Sequence, residues 1–161
     1  MYHQYAPFFS ELWHKIRNGE SLTYSWNIGM GTNFTSLFAY YLASPSNWFV
    51  ALFPQKYTIE IMNAFIILKI AGSSLSLTYY LTKHNNNKHV IAAIFGMFYG
   101  MSGFIAAYSW NIMWLDCVIL IPLIMLGLER LVNENRCIFY CITLGLSLIH
   151  ISEPTRPLYI S

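Results

Sequence analysis

The sequence predicts an all-α fold, a polytopic bundle of transmembrane helices preceded by an amphipathic helix and a re-entrant or broken apolar segment. Composition is the first reason. Only 10% of the 161 residues are charged, while 56% are hydrophobic and 17% aromatic, against about a quarter charged in an ordinary soluble domain. Apolar runs are the second. Uninterrupted ones cover about 57–81, 90–107 and 112–128, and a fourth opens at 137–145, each read against the ~20 residues that cross a bilayer as helix. The third is periodicity, because Tyr5, Phe8, Phe9, Leu12, Trp13 and Ile16 recur at helical spacing near the N-terminus.

Taken in order, residues 5–17 read as an amphipathic helix suited to a membrane interface, ended by Asn18 and Gly19. Ser25 to Asn33 is then a glycine-bearing loop in which backbone can approach a neighbour closely. From Phe34 to Phe53 the chain is apolar enough to span, yet Ser44-Pro45-Ser46-Asn47 interrupts it and predicts two short helices. Residues 1–56 thus form one region and 57–145 a transmembrane one. In the second span, Ala93, Gly96, Gly100 and Gly103 make a stripe of small residues for close helix contact.

Charge sets the expected topology and excludes some functions. Lys83 and Lys88 lie in one loop and Arg130 and Arg136 in another, while Tyr108 to Asp116 holds no basic residue. The positive-inside rule places both basic loops in the cytoplasm, so residues 1–56 and 108–116 share the outer face. A net charge of +2 with no basic stripe sets nucleic-acid partners aside. Cys117, Cys137 and Cys141 form no CxxC pair, so no structural zinc site or disulfide framework is indicated.

Few residues can carry chemistry. Asp116 is the sole carboxylate of the outer turn 109–116, at a boundary where a charge is costly, and is the candidate catalytic acid/base. A helix N-cap or first-turn anion is the plainer reading. Trp110 and Trp114 beside it, and Trp26 in the earlier loop, offer faces for sugar rings or prenyl chains, or serve simply as interfacial anchors. Lys69 lies roughly 18 Å along its helix from Tyr57, near the bilayer middle. Glu60, nine residues earlier, faces the other way, so Lys69 must find a partner on another span or on a lipid phosphate.

Four motifs occur in sequence order: Tyr2 to Phe9 (YHQYAPFF), Ser25 to Gly31 (SWNIGMG), Ala39 to Asn47 (AYYLASPSN) and Tyr108 to Asp116 (YSWNIMWLD). Together they resemble the YfhO family of bacterial membrane proteins, over nearly all of residues 1–145. The resemblance implies a GT-C-like glycosyltransferase in the cytoplasmic membrane, which moves a sugar from a polyprenyl-phosphate carrier to a cell-envelope polymer such as teichoic acid on the outer face. A divalent metal is possible. His3, Gln4, Tyr5, Trp26, Asn27, Trp110, Trp114 and Lys69 are then the candidate substrate contacts. The alternatives are a transporter or lipid flippase, which shares the buried lysine and broken segment, and a non-catalytic assembly protein.

Both ends carry expectations of their own. In the family an Asp typically stands directly before the motif that begins here at Met1, so Met1 is expected to be internal, with the main carboxylate upstream. Leu146 to Arg156 reads as a translated sequencing adapter, so residues 146–161 are set aside from site arguments.

Overall fold

The computed structural model describes residues 5–42, 44–85 and 89–151. It forms two compact units, the first running to Met62 and the second covering Asn63–Ile149. His3 and Gln4 lie outside the described residues.

The first unit is built on α1, Tyr5–Asn18. Gly19, at φ +65°, turns the chain out of it, and the Glu20 N–H returns to the Lys15 carbonyl at 2.9 Å, which closes the helix in the manner of a glycine C-cap. The expected glycine loop is the tip of a small antiparallel hairpin, β1 (Tyr24–Ser25) and β2 (Thr32–Asn33), with Tyr24 opposite Asn33 and Ser25 opposite Thr32. Gly29 and Gly31 sit at φ +63° and +99° inside the tip, where an L side chain is strained.

Helix α2, Phe34–Leu37, is capped by the Asn33 side chain and runs on as a wider helical turn to Leu42. The apolar segment then breaks as the sequence predicts. It resumes at Pro45–Leu52 as a 3₁₀ helix, because Pro45 suits a helix start but cannot continue one. Tyr5, Phe9, Leu12, Phe34, Leu42 and Val50 are buried together as the core of this unit.

Among the described residues three helical segments are long and apolar enough to cross a membrane: Gln55–His84, His89–Tyr108 and Ile112–Glu134. The first contains α3 (Thr58–His84), and the third is α6 (Ile112–Glu134). The second is divided near Met101 into α4 (His89–Gly100) and α5 (Gly103–Tyr108). A shorter apolar helix, α7, follows at Ile138–Ile151. Helix α6 continues through residues 129–134, which the sequence reading assigned to a loop. It ends where Asn135 adopts a left-handed conformation at φ +55°.

The second unit packs α3 and α6 in parallel. Lys69 meets Asp116, Ile119 lies against Gly72, and Tyr80 meets Glu129, so the two helices run in the same direction. Helix α4 runs antiparallel to α3, with Gly96 seated at Ser74 and Thr78 and Gly100 at Ser74 and Ile70. The buried small-residue stripe is Ala92, Gly96 and Gly100. It differs from the expected stripe at both ends, since Gly103 has no neighbour within 4 Å of a Cβ position and begins a separate helix. A spacing of four keeps the three buried residues on one face.

Several polar groups in this apolar unit find partners within the protein, as a bilayer favours. Ser73, Ser76 and Thr78 return their hydroxyls to carbonyls three or four residues earlier. Pro122, inside α6, has no N–H to give to the Val118 carbonyl. Tyr99 Oη of α4 donates to that carbonyl at 2.9 Å. Close by, Ile105, Leu115 and Val118 form a buried cluster flanked by Ile66 and Ile70.

Candidate functional site

Asp116 stands five residues beyond Asn111, the N-cap of α6, and the first turn of that helix contains no acid. The N-cap and first-turn readings of Asp116 therefore give way to a different partner. Its Oδ2 lies 2.9 Å from Lys69 Nζ of α3. The ammonium also donates to the Ile112 carbonyl at 3.1 Å. Lys69 is 5% exposed and Asp116 15% at the side chain, so the lysine is enclosed while the carboxylate keeps an edge toward the surroundings. The partner that Lys69 needs on another span is the acid that the sequence singled out independently.

The pairing fixes depth as well as identity. Lys69 lies eleven residues into α3 and Asp116 four into α6, so at 1.5 Å per residue the start of α6 sits roughly 10 Å deeper than the start of α3. Asp116 is thus drawn inward from the boundary position that its place in the sequence suggests. In low dielectric such a pair persists only when well aligned, and the short contact with a second acceptor on the same ammonium provides that alignment.

The aromatic residues near the pair are arranged around it unequally. Trp114 precedes Asp116 by two residues, so it points about 200° away around α6, and its ring packs on Tyr108 at 6.0 Å. Tyr108 in turn packs on Phe104 at 5.3 Å. Trp110 donates its indole N–H to the Ala107 carbonyl at 3.1 Å. Trp110 and Trp114 are 44% and 39% exposed, which leaves ring faces accessible beside, but not on, the carboxylate's side of the helix.

The candidate residues of the first unit separate into two kinds. Tyr5 belongs to the core, 1% exposed and edge-to-face with Tyr41 at 5.4 Å. Trp26 stands at the hairpin tip, 77% exposed, with the Tyr24 ring packed on it at 4.9 Å. Asn27 is exposed, yet its Nδ2 donates to both oxygens of Glu11 at 3.1 and 3.3 Å.

That last contact belongs to a buried polar network which the sequence reading missed. Ser25 Oγ donates to Glu11 at 2.6 Å, and Lys15 Nζ donates to the carbonyls of Ser21 and Tyr24 at 2.9 and 2.8 Å while lying over the Phe34 ring at 5.3 Å. Glu11 and Lys15 are both buried. Glu11 and Lys15, on the polar face of α1 that amphipathic spacing assigns to solvent, are covered in this way, while Arg17 of the same face stays exposed. The available signal was the i,i+4 pair Glu11 and Lys15 followed closely by a hydroxyl- and amide-rich turn.

Among the described residues no three His, Cys, Asp or Glu side chains group so as to hold a metal ion. Chemically, the second unit offers the Asp116 carboxylate paired with Lys69 between two apolar helices, and the first an exposed aromatic residue on a loop tied to the Glu11 network.

A family described as bacterial membrane protein YfhO matches residues 1–150. No curated protein and no solved structure matches the chain.

Proposed function

Because the chain belongs to the YfhO family of bacterial membrane proteins, we propose that the protein is a membrane glycosyltransferase working on a lipid-linked sugar. It transfers the sugar from a polyprenyl-phosphate carrier to a hydroxyl of a cell-envelope polymer, such as teichoic acid, at the outer face of the cytoplasmic membrane. The observation that carries this reading is the Lys69–Asp116 pair, 2.9 Å apart between two apolar helices. Ionisable groups at such positions are expensive and are retained mostly where they do chemistry or transport.

In this mechanism Asp116 takes the proton of the acceptor hydroxyl. The hydroxyl oxygen then bonds to the anomeric carbon as the bond from that carbon to the carrier phosphate breaks, and the phosphate leaves with the electron pair, inverting the centre. Lys69 holds the carboxylate in place and contributes positive charge near the departing phosphate. Trp110 and Trp114, exposed near the pair, supply faces for the sugar and the prenyl chain, and Trp26, exposed in the first unit, is a separate candidate contact. His3 and Gln4 belong to the acceptor and sugar side of the same proposal, while Tyr5 and Asn27 support it through packing and through the Glu11 network. No step runs through a metal, for which the described residues provide no ligand group.

A second reading is favoured by the Lys69 bond to the Ile112 carbonyl: the pair serves only to lock α3 to α6, and the protein is a non-catalytic assembly component. Transfer of radiolabelled sugar from polyprenyl phosphate to polymer, measured in vesicles with the intact protein and its Asp116→Asn variant, tests the proposal. Loss of transfer in a normally inserted variant supports it. Unchanged transfer removes Asp116 from the mechanism.

A further inference from the structure

At the opposite ends of the same two helices lies a cavity of about 500 Å³, lined among others by Lys83 and His84 of α3 and Glu129, Arg130 and Glu134 of α6. We propose that it holds the headgroup of a phospholipid bearing a primary ammonium, of the phosphatidylethanolamine class, with the phosphate against Lys83 and Arg130 and the ammonium against Glu129 and Glu134. The inference rests on the membrane-spanning character of α3 and α6 and is independent of the sugar-transfer reading.

The charge arrangement selects the ligand. A purely anionic group would face two carboxylates and the C-terminal ends of two helices, whose carbonyls carry partial negative charge. A purely cationic one would face Lys83 and Arg130. A zwitterion satisfies both sets, with its phosphate suited to the planar donors of Arg130 and its ammonium suited to the helix ends and acids. Glu129 is held ready for this, since Tyr80 Oη donates to its Oε1 at 2.7 Å and His84 Nδ1 lies 2.9 Å from the same oxygen. Arg130 is likewise steadied, its guanidinium 5.3 Å over the Phe139 ring.

Position selects a lipid over a soluble zwitterion. Both helices are apolar along the lengths that lead to this cavity, so their ends fall at headgroup level. A second cavity of about 320 Å³ lies near the same end of α3, between it and α4, lined by Leu77, Leu81, Ile91, Ala92, Phe95 and Asn85. Leu81 and Leu77 are about one and two turns back from the end of α3 toward the bilayer middle, where an acyl chain runs.

The test is native mass spectrometry of the intact protein released from bilayers containing equal amounts of phosphatidylethanolamine, phosphatidylcholine and phosphatidylglycerol. The expected result is retention of phosphatidylethanolamine over the other two by about tenfold, an energy difference of ~1.4 kcal/mol, because the quaternary ammonium of phosphatidylcholine has no N–H to donate and phosphatidylglycerol has no cation. The preference should fall to near unity in Arg130→Gln and in Glu134→Gln, with circular dichroism unchanged from the parent. Soluble glycerophosphoethanolamine at equal concentration should not displace the lipid. Equal retention of the three lipids, preference for phosphatidylglycerol, full preference in both folded variants, or displacement by the soluble headgroup would each overturn the assignment.

Discussion

Lys69 and Asp116, 47 residues apart in sequence, are joined by a 2.9 Å contact in which the lysine is almost wholly enclosed. Removing one partner leaves the other charged and without its counter-ion in an apolar setting, which costs several times more than removing both. Lys69→Met alone should therefore destabilise the detergent-solubilised protein by on the order of 3 kcal/mol. Combined Lys69→Met and Asp116→Leu replacement should recover most of that loss. Denaturant titration of the variants in a mild detergent checks both.

The Tyr99 hydroxyl and the Val118 carbonyl form a second, neutral link whose logic depends on Pro122. Tyr99→Phe should cost about 1 kcal/mol, since it leaves a carbonyl without a donor where water is scarce. In a Pro122→Ala background, the restored N–H can satisfy Val118 from within the helix, and the same substitution should cost much less. A double-mutant cycle measured by thermal unfolding reads the coupling directly.

Helix α4 meets α3 closely enough that side chains on its glycines are excluded. A Cβ on Gly96 would lie 2.6 Å from the Ser74 carbonyl oxygen as well as against the Thr78 side chain. Gly96→Leu should lose about 1–3 kcal/mol through overpacking. Gly103→Leu, at a position with open space, should be tolerated far better. Comparison of expression yield and melting temperature for the two variants decides whether contact or composition governs the stripe.

The hairpin over α1 should depend on its buried polar anchors. Glu11→Gln weakens the bonds from Ser25 and Asn27 and removes one of the two acids near the buried Lys15, leaving Glu20 at 3.8 Å, so amides of residues 24–33 should exchange faster with solvent while those of α3 do not. Gly31→Ala should act similarly, because φ +99° strains any L residue and the new Cβ would collide with the Tyr24 hydroxyl. Hydrogen exchange resolved by segment distinguishes this local loosening from global unfolding.

The membrane-spanning helices were legible because hydropathy is a summed property that tertiary context seldom reverses, and the break at Pro45 was legible because proline acts locally. Partners were not. Nothing in the run around Lys69 names Asp116, since their meeting depends on where α6 begins relative to α3, which neither segment's own sequence states. Nor does a helical wheel reveal that Glu11 and Lys15 are buried, because the covering comes from a hairpin whose two-residue strands carry almost no sequence signal. Helix length failed at residues 129–134 for a related reason: charged residues mark the edge of a membrane, and a helix is free to continue past it.

The most direct test of the account is sugar transfer by the intact protein carrying Lys69→Met together with Asp116→Leu, since this pair of changes removes the chemistry while leaving two apolar side chains to fill the space. The account predicts a protein that inserts and melts close to the parent yet transfers no sugar from polyprenyl phosphate to polymer. Transfer at the parental rate by that stable variant would contradict it, and would leave the pair as a structural lock between α3 and α6.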